Sequence, residues 1–443
     1  MDEDGKLHIV MFPWLSFDHI IPFLELAKLI AQKGHHRLSF ISTPRNILRL
    51  PKLPPNLTSA ITLVKLPLPR IAGLPENAEA TMDVSSTQVH YLMQAFHTLE
   101  TELTRFLEDF PADWIIYDIA PNWFPQFASR LGISCAFFGV ANAWCLALSR
   151  SQPLAVPQRW VPLLSDLAHL SYEQHYFEDL EADIRGCDAV LVRHSREFEP
   201  DWLNLLGEAN QKPVIPVGLM PPSVQDSGDD KTYTWLAVSD WLSKQAKRSV
   251  VYVAFGNEVT LSQESLTELA LGLEDSGLCF FWALRSPPGS FKLPRGFEER
   301  TKGRGVVCRG WAPQVRILAH DSVGCFLTHC GWSSMIEGLA CGQPLVMLPF
   351  TLHQELNARV LTQNNVGLEI PRTERDRQFT RNSVSESLLL VMIGDEGNVY
   401  RKKAQETGGM FREKALQDEY IDDFVEFESL KGLISIKQEI KIH

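Results

Sequence analysis

Short apolar runs alternate with longer amphipathic stretches from the start of the chain. Residues 7–12 form a continuous apolar run, residues 13–18 have the composition of a turn, and residues 20–32 carry apolar side chains three or four positions apart. A second apolar run follows at 37–42. Short apolar runs favour buried strands, whereas the three-to-four spacing favours a helix. The pattern therefore predicts the βαβ opening of a parallel sheet.

The same alternation continues and divides the chain into two halves. Further strands are predicted at 114–117, 134–138 and 189–192, and a second half opens with a strand at 249–255 and a helix at 263–276. Between the halves the sequence becomes rich in Pro, Ser, Gly and acidic residues, which is linker composition.

We therefore predict an α/β protein with two Rossmann-like domains. The expected ranges are an N-terminal domain at 1–222, a linker at 223–240, a C-terminal domain at 241–420 and a helical tail at 421–443. The charged tail is a candidate to cross back onto the N-terminal domain. Two such domains imply parallel sheets facing a central cleft, and ligands bind where the strands end.

Charge narrows the choice of partners. The chain has 42 Lys and Arg against 54 Asp and Glu, for a formal net charge of −12. Nucleic acid and anionic membranes reward a basic surface, so neither is expected as a partner. A small anionic ligand would have to be held by backbone N–H groups, helix ends and a few aimed side chains.

The cysteines and the apolar runs bear on the compartment. The eight cysteines form neither a CxxC pair nor a zinc-like Cys/His spacing, which is typical of reduced, buried thiols. The N-terminus is acidic, unlike a secretory signal, and no apolar run approaches the roughly 20 residues that span a bilayer. We expect a cytosolic monomer without a transmembrane segment.

Residues 311–354 are the most informative stretch. Their sequence, WAPQVRILAHDSVGCFLTHCGWSSMIEGLACGQPLVMLPFTLHQ, predicts a strand at 323–327, a sharp turn at 329–334 and a helix from 335. A glycine-containing turn that enters a helix offers N–H groups and the positive helix end to a phosphate.

Side chains with the chemistry of nucleotide binding surround this turn. They comprise an aromatic ring that can stack on a base, an amide that can read its edge, an imidazole with two hydroxyls for phosphate, and a carboxylate for sugar hydroxyls. In that order they are Trp311, Gln314, His329, Ser333, Ser334 and Glu337.

This stretch resembles, over its whole length, the signature box of plant family-1 UDP-dependent glycosyltransferases. The segments FPWLSFDHIIPFLELAKLIAQKGH and RSVVYVAFGNEVTLS are also similar to that family. The resemblance implies the GT-B architecture, a UDP-sugar donor, an apolar glycoside acceptor, and inverting sugar transfer that needs no metal or other cofactor.

The resemblance also implies donor-binding roles. Trp311, Ala312 and Gln314 would hold the nucleoside, and Glu337 would hold the ribose. The diphosphate would be held by residues of the turn and by the end of the first strand of the second domain, namely Gly256, Asn257, His329, Gly331, Trp332, Ser333 and Ser334.

The catalytic base implied by the resemblance is His19, in the predicted loop after the first strand. An imidazole there can take a proton from an acceptor hydroxyl. Asp118, at the end of the strand 114–117, can hold the other ring nitrogen and fix the tautomer. The residue before the base is usually Gly in the family, and here it is Asp18, whose carboxylate either alters the pKa of the histidine or points to solvent.

The end of the box departs from glucose-using members, which have an acidic residue followed by Gln. Here the pair is His353 and Gln354, which fall where the family contacts the transferred sugar. An imidazole is bulkier than a carboxylate and can donate a hydrogen bond, so it suits a different hydroxyl arrangement. UDP-rhamnose is the favoured donor, with UDP-glucose as the alternative and galactose or a pentose after them.

The sequence indicates less about the acceptor than about the donor. Aromatic residues at or just after strand ends can line an apolar cleft or belong to the core. They are Phe17, Trp123, Phe124, Phe138 and Trp144. The run FISTPRNILRLPKLPPNL resembles the clade that adds a second sugar to a flavonoid, steroidal or triterpenoid glycoside.

Two functions of other kinds compete with sugar transfer. A nicotinamide-dependent dehydrogenase would carry GxGxxG after the first strand, where this chain has FPWLSFDHI. Asp18 leaves room for a catalytically weak UDP-sugar-binding protein.

The acidic pairs at 229–230 and 422–423 lie in the linker and tail, and are interpreted as solvated charge rather than metal ligands.

Overall fold

The protein is described from a computed structural model, which covers residues 6–33, 36–119, 123–148, 182–222, 233–256, 259, 261–284, 292–373 and 377–425. The chain divides into two compact units. The first unit contains Met1–Met220 and Lys414–His443, and the second contains Pro221–Glu413.

The first unit is built on a parallel sheet. Its strands are β1 (His8–Phe12), β2 (Arg37–Ser42), β3 (Ile61–Lys65), β4 (Trp114–Tyr117), β5 (Ser134–Gly139), β6 (Ala189–Val192) and β7 (Val214–Pro216). They lie in the order β3-β2-β1-β4-β5-β6-β7, with every neighbouring pair parallel. The predicted apolar runs thus form strands within a residue of their expected ends.

Helices cover this sheet. They are α1 (Phe17–Gln32), α2 (Pro44–Arg49), α3 (Val89–His97), α4 (Glu100–Asp109), α5 (Phe124–Leu131), α6 (Ala143–Leu148) and α7 (Asp201–Asn210). One hydrophobic core contains side chains of α1 together with residues of strands β1 to β7. A parallel sheet buried in this way explains why its strands are almost continuously apolar.

Helix α1 begins earlier than its apolar spacing predicted. The carbonyl of Ser16 accepts hydrogen bonds from the N–H groups of His19 (2.9 Å) and Ile20 (2.8 Å), so the helix includes Phe17 onward. His19 therefore lies in the first turn of a helix, and its predicted place in a loop is wrong. Periodicity misses such a start because the first turn is partly exposed.

The second unit contains another parallel sheet. Its strands are β8 (Val250–Ala254), β9 (Cys279–Ala283), β10 (Gly305–Cys308), β11 (Val323–Thr328), β12 (Leu345–Met347) and β13 (Gly367–Glu369). Their order is β10-β9-β8-β11-β12-β13, again with parallel neighbours. The α/β fold class with two parallel sheets is as predicted.

Nine further helices complete the described elements. They are α8 (Tyr233–Ser243), α9 (Gln263–Asp275), α10 (Phe297–Arg300), α11 (Gln314–Leu318), α12 (Trp332–Ala340), α13 (Leu352–Gln363), α14 (Arg381–Met392), α15 (Asn398–Phe411) and α16 (Lys414–Val425). Helix α9 has a side-chain N-cap, because the hydroxyl oxygen of Ser262 accepts a hydrogen bond from the backbone N–H of Ser265.

Two segments differ from the expected ranges. Residues 233–240, expected as linker, are helical in α8, where Val238 is buried and Trp235 lies under the guanidinium of Arg316 at 5.5 Å. Residues 223–232 lie outside the described residues. Residues 414–420, expected in the second domain, pack with the first unit.

Helix α16 is held to the first unit by apolar and polar contacts. Ile421 and Phe424 belong to the core cluster of that unit. The hydroxyl of Tyr420 donates to Glu197 at 2.7 Å. The acidic pair at 422–423, expected as solvated charge, forms ion pairs with Lys33 (2.7 Å) and Arg196 (2.9 Å).

Candidate active site

In the first unit the sequence-predicted pair His19 and Asp118 comes together. Strands β1 and β4 are parallel neighbours, so the segments that follow them emerge at one edge of the sheet. Nδ1 of His19 lies 2.5 Å from Oδ2 of Asp118. The carboxylate is 2% exposed and the imidazole 19% exposed. One ring nitrogen is thus fixed by a buried carboxylate.

The second oxygen of Asp118 is also engaged. Oδ1 accepts the backbone N–H of Trp14 at 2.7 Å. This contact ties the carboxylate to the segment between β1 and α1, which leads into the first helical turn that carries His19. Sequence reasoning missed it because a backbone donor leaves no signature in residue identity. Asp18, next to the histidine, is exposed.

The predicted acceptor aromatics fall into two groups. Phe124, Phe138 and Trp144 are fully buried, with no surface for a ligand, so their predicted role in lining a cleft is wrong. Phe124 packs against Phe12 and Tyr117, for example, with ring centroids 5.8 and 4.5 Å apart. Large aromatic rings that follow strand ends can pack in a core as well as they can line a cleft.

The other two aromatics are partly exposed. Phe17 packs against the edge of the core cluster. The indole N–H of Trp123 donates to the carbonyl of His97 at 2.7 Å, which fixes the ring.

A small cavity also lies beyond β1 and β2, and its lining includes Pro13, Ser42 and Thr43.

In the second unit, β11 runs through a tight turn into α12. Cys330 adopts a left-handed backbone conformation with φ +72°, and Gly331 is the N-cap of the helix. The helix begins at Trp332, three residues before its predicted start. The first N–H groups of a helix point away from it along its axis, and the positive end of the helix dipole at 332–334 favours an anion.

His329 is wedged between two glycines. A Cβ at Gly256 would lie 2.9 Å from its ring, and a Cβ at Gly331 would lie 2.7 Å from Nε2. Burial lowers the pKa of His329 to about 4, so the ring is neutral at pH 7. Its Nδ1 is buried without a hydrogen-bond partner. Asn257, predicted beside it, lies outside the described residues.

A hydrogen-bonded cluster joins the predicted nucleoside residues. The amide of Gln314 donates to Oε2 of Glu337 at 2.8 Å and to the hydroxyl of Ser334 at 3.2 Å. Its Oε1 accepts the hydroxyl of Tyr252 at 3.2 Å. Tyr252 was not predicted, since a tyrosine inside an apolar strand gives no sign of where its hydroxyl points.

Two other predicted nucleoside residues differ in exposure. The side chain of Trp311 is 56% exposed, which is unusual for an indole and leaves a face free for stacking. Ala312 beside it is buried. Ser333 lies in the first turn of α12, next to Ser334.

The closing pair lies in the first turn of α13. Oε1 of Gln354 accepts the N–H groups of Phe350 (2.9 Å) and Thr351 (3.3 Å), which caps the helix. His353 is half-buried, and removal of its ring from water lowers its pKa to about 4. At pH 7 the imidazole is therefore neutral and can both donate and accept.

Asn357, which sequence reasoning did not single out, connects this helix to the phosphate-type turn. Its buried side-chain amide donates to the carbonyl of Cys330 at 2.8 Å. The contact supports a non-glycine residue in a left-handed conformation, which is otherwise costly.

The described residues contain neither a metal-binding cluster nor a membrane-spanning helix. No group of three or more His, Cys, Asp or Glu side chains in that part of the chain could hold a metal ion. None of the helices described is long and apolar enough to cross a bilayer.

Comparison with known proteins decides the family. A family model described as UDP-glucoronosyl and UDP-glucosyl transferase matches residues 217–403. UDP-glycosyltransferase 91A1 of Arabidopsis thaliana is 45% identical over 460 residues, covering 96% of this chain and 97% of that protein. The chain belongs to the plant family-1 UDP-glycosyltransferases.

Two further relatives of this glycosyltransferase are informative. Soyasaponin III rhamnosyltransferase of Glycine max is 41% identical over 452 residues, covering 96% of each chain. The structure of Phytolacca americana UGT2 complexed with UDP-2fluoro-glucose and pterostilbene matches with a TM-score of 0.74 and 25% identity, covering 96% of this chain and 100% of the other. The two parallel-sheet domains are those of the GT-B architecture, as predicted.

Proposed function

We propose that this glycosyltransferase moves rhamnose from UDP-rhamnose to a sugar hydroxyl of a plant specialised-metabolite glycoside, a flavonoid, steroid or triterpenoid glycoside. The transfer inverts the anomeric carbon and needs no resident metal. The observation that carries the mechanism is the 2.5 Å contact between His19 and buried Asp118.

That contact supports His19 as the general base. With Nδ1 bound to Asp118, Nε2 is the ring nitrogen that takes the proton of the acceptor hydroxyl. The acceptor oxygen forms a bond to the anomeric carbon as the bond from that carbon to the UDP oxygen breaks. The electron pair leaves with UDP, and Asp118 stabilises the imidazolium that forms. One displacement of this kind inverts the configuration.

Local features support UDP binding despite the net charge of −12. The start of α12 offers backbone N–H groups and a helix dipole to the diphosphate. His329, neutral and walled by Gly256 and Gly331, has a buried Nδ1 without a protein partner. The exposed ring of Trp311 provides a stacking face for uracil beside the Gln314 cluster.

The rhamnose assignment rests on His353 and on one relative. A neutral imidazole replaces the carboxylate that glucose-using members present to the sugar, and Phe350 nearby is 37% exposed, which suits the methyl group of rhamnose. The soyasaponin rhamnosyltransferase is 41% identical. The alternative donor is UDP-glucose, and the test below distinguishes it from UDP-rhamnose.

The donor is tested by supplying UDP-rhamnose and UDP-glucose separately with a flavonoid glucoside and a saponin glycoside. We expect faster product formation with UDP-rhamnose, and His353→Asp should move the ratio of kcat/KM values toward glucose. Turnover with UDP-glucose alone, or an unchanged ratio in the variant, would overturn the rhamnose assignment. Product NMR reports the anomeric configuration, and activity should survive EDTA.

A catalytically weak UDP-sugar binder is the competing function, because Asp18 occupies a position that the family usually gives to Gly. His19→Ala separates the two functions. We expect the variant to bind UDP normally and to lose transfer. Equal, slow turnover by both proteins would support the weak binder.

A further inference from the structure

A buried ion-pair network lies against the segment that carries His353 and Gln354. Its centre is Arg372, whose side chain is 6% exposed. Nη1 of Arg372 donates to the backbone carbonyl of Pro349 at 2.7 Å. Nη2 lies 3.3 Å from Oε1 of Glu355 and 2.8 Å from Oε1 of Glu369.

The contacts of Arg372 flank one short segment. Pro349 precedes residues 350–354, and Glu355 follows them, so a single guanidinium holds both ends. Within the segment, the side chain of Gln354 accepts the N–H groups of Phe350 and Thr351. The backbone between the two held ends is therefore closed on itself and has little freedom to shift.

Charge balance explains why the network is tolerated in the interior. Glu355 is 5% exposed and also pairs with Arg377, whose Nη2 lies 2.6 Å from Oε1. Two carboxylates, of Glu355 and Glu369, face the two guanidiniums of Arg372 and Arg377. An unpaired buried charge would be strongly destabilising, and here the opposite charges compensate one another, although Oε2 of Glu355 and Nε of Arg372 are buried without a hydrogen-bond partner. A guanidinium suits this place because its planar fork can donate in several directions at once.

We propose that Arg372 is a positioning residue for the donor sugar. It fixes the 350–354 segment through Pro349 and Glu355, and thereby sets where His353 and Gln354 meet the sugar. The inference rests on the proposed sugar contacts of those two residues. The phosphate-type turn follows a different strand, β11. The hydrogen bonds of Arg372 described above go to Pro349, Glu355 and Glu369, and its charge acts on the turn at the buried thiol of Cys330. Loss of Arg372 should therefore affect the sugar and spare UDP.

The test is Arg372→Met, with Arg377→Met as the matched control. Each variant removes one guanidinium and leaves Glu355 paired with the other, and Arg372→Met also removes the partner of Glu369, whose side chain is 24% exposed. Only Arg372→Met removes the bond to the Pro349 carbonyl. Calorimetric titrations measure Kd for UDP, UDP-rhamnose and UDP-glucose, and steady-state assays measure KM and kcat for whichever donor the wild-type protein uses.

For Arg372→Met we expect an unchanged Kd for UDP and a rise of about tenfold or more in KM for the UDP-sugar, since small misplacements of contacting groups carry large penalties. The ratio of the kcat/KM values for the two donors should move closer to one. Arg377→Met should leave these quantities within about twofold of wild type. Unchanged UDP binding also shows that the variant is folded.

Three results would overturn the inference while leaving the proposed function intact. They are a normal KM and donor ratio in Arg372→Met, equal losses in both variants, or a parallel loss of UDP and UDP-sugar affinity. A wild-type protein that binds UDP but transfers neither sugar would instead refute the proposed function. If Arg372→Met unfolds, Glu369→Gln provides the second arm, because it loosens Arg372 at the more exposed end of the network and should raise KM in the same direction.

Discussion

At the scale of residues, the His19 and Asp118 pair shows how strand topology turns distant sequence positions into neighbours. The sequence places each residue just beyond a predicted strand, and parallel pairing of β1 with β4 brings them to the same edge. Resemblance to the family supplied the roles. The second partner of Asp118, the N–H of Trp14, was not predictable, because any residue provides a backbone donor.

We expect Asp118→Asn to lower kcat by about 10²–10⁴-fold with a small change in KM, because the amide can present its N–H to the histidine and favour the wrong tautomer. Steady-state kinetics with saturating donor measure the effect. Retention of more than half of the wild-type kcat would show that the carboxylate does not orient the base. Thermal unfolding checks that the loss is not one of structure.

Gly256→Ala should weaken UDP binding about tenfold, because a Cβ there would displace the ring of His329. The matched control is Gly277→Ala, since both glycines have φ +68°, but no atom lies within 4 Å of a Cβ at Gly277. Calorimetry measures the UDP affinity of both variants. Equal losses in the two variants would mean that backbone strain, not the contact with His329, is responsible.

The acceptor residues mark the limit of sequence reasoning at this scale. Phe124, Phe138 and Trp144 have the right chemistry and the right chain position for a pocket, yet they are core. Aromatic side chains bury well in either setting, so residue type and strand position alone do not separate the two. Burial depends on which helix packs above each ring.

At the scale of elements, the strands and the start of α9 were predicted closely, whereas the starts of α1 and α12 were not. Buried parallel strands are continuous apolar runs with clear ends, as in β2 and β4. Helices α1 and α12 begin three residues before the apolar spacing does, because their first turns are partly polar. Those early turns carry His19 and Ser334, two of the residues predicted for the active site.

Helix α16 should contribute strongly to the stability of the first unit. Phe424 is 4% exposed within its core cluster, and Phe424→Ala should lower the free energy of unfolding by about 3–5 kcal/mol. Urea unfolding of the full chain measures this loss. Glu419→Ala, one turn away on the exposed side, is the control and should leave the midpoint nearly unchanged. A small effect of Phe424→Ala would mean that the helix is loosely docked.

At the scale of the whole molecule, three histidines that are neutral in the folded protein link stability to pH. Burial lowers the pKa values of His194, His329 and His353 to about 4, from about 6.5 in the unfolded chain. Between these values the unfolded state binds more protons than the folded state. Stability should therefore rise with pH from 4 to 6.5 and level off above it.

His194 offers the cleanest test, because it is fully buried in the first unit. His194→Gln should reduce the slope of unfolding free energy against pH by up to about 1.4 kcal/mol per pH unit within that window. Denaturant titrations from pH 4.5 to 7 measure the slope, and exposed His90→Gln is the control. Identical slopes in all three proteins would refute the linkage.

The return of α16 to the first unit has a consequence for biosynthesis. Two side chains of the N-terminal core, Ile421 and Phe424, are made after the whole second unit. At typical translation rates they leave the ribosome roughly 10–40 s after Met220, when the second unit has already been synthesised. Until then the nascent first unit exposes the apolar surface that α16 covers, so its core cannot be completed before the second unit has been synthesised. Chaperones would meet this chain with an unfinished N-terminal half and a completed C-terminal one.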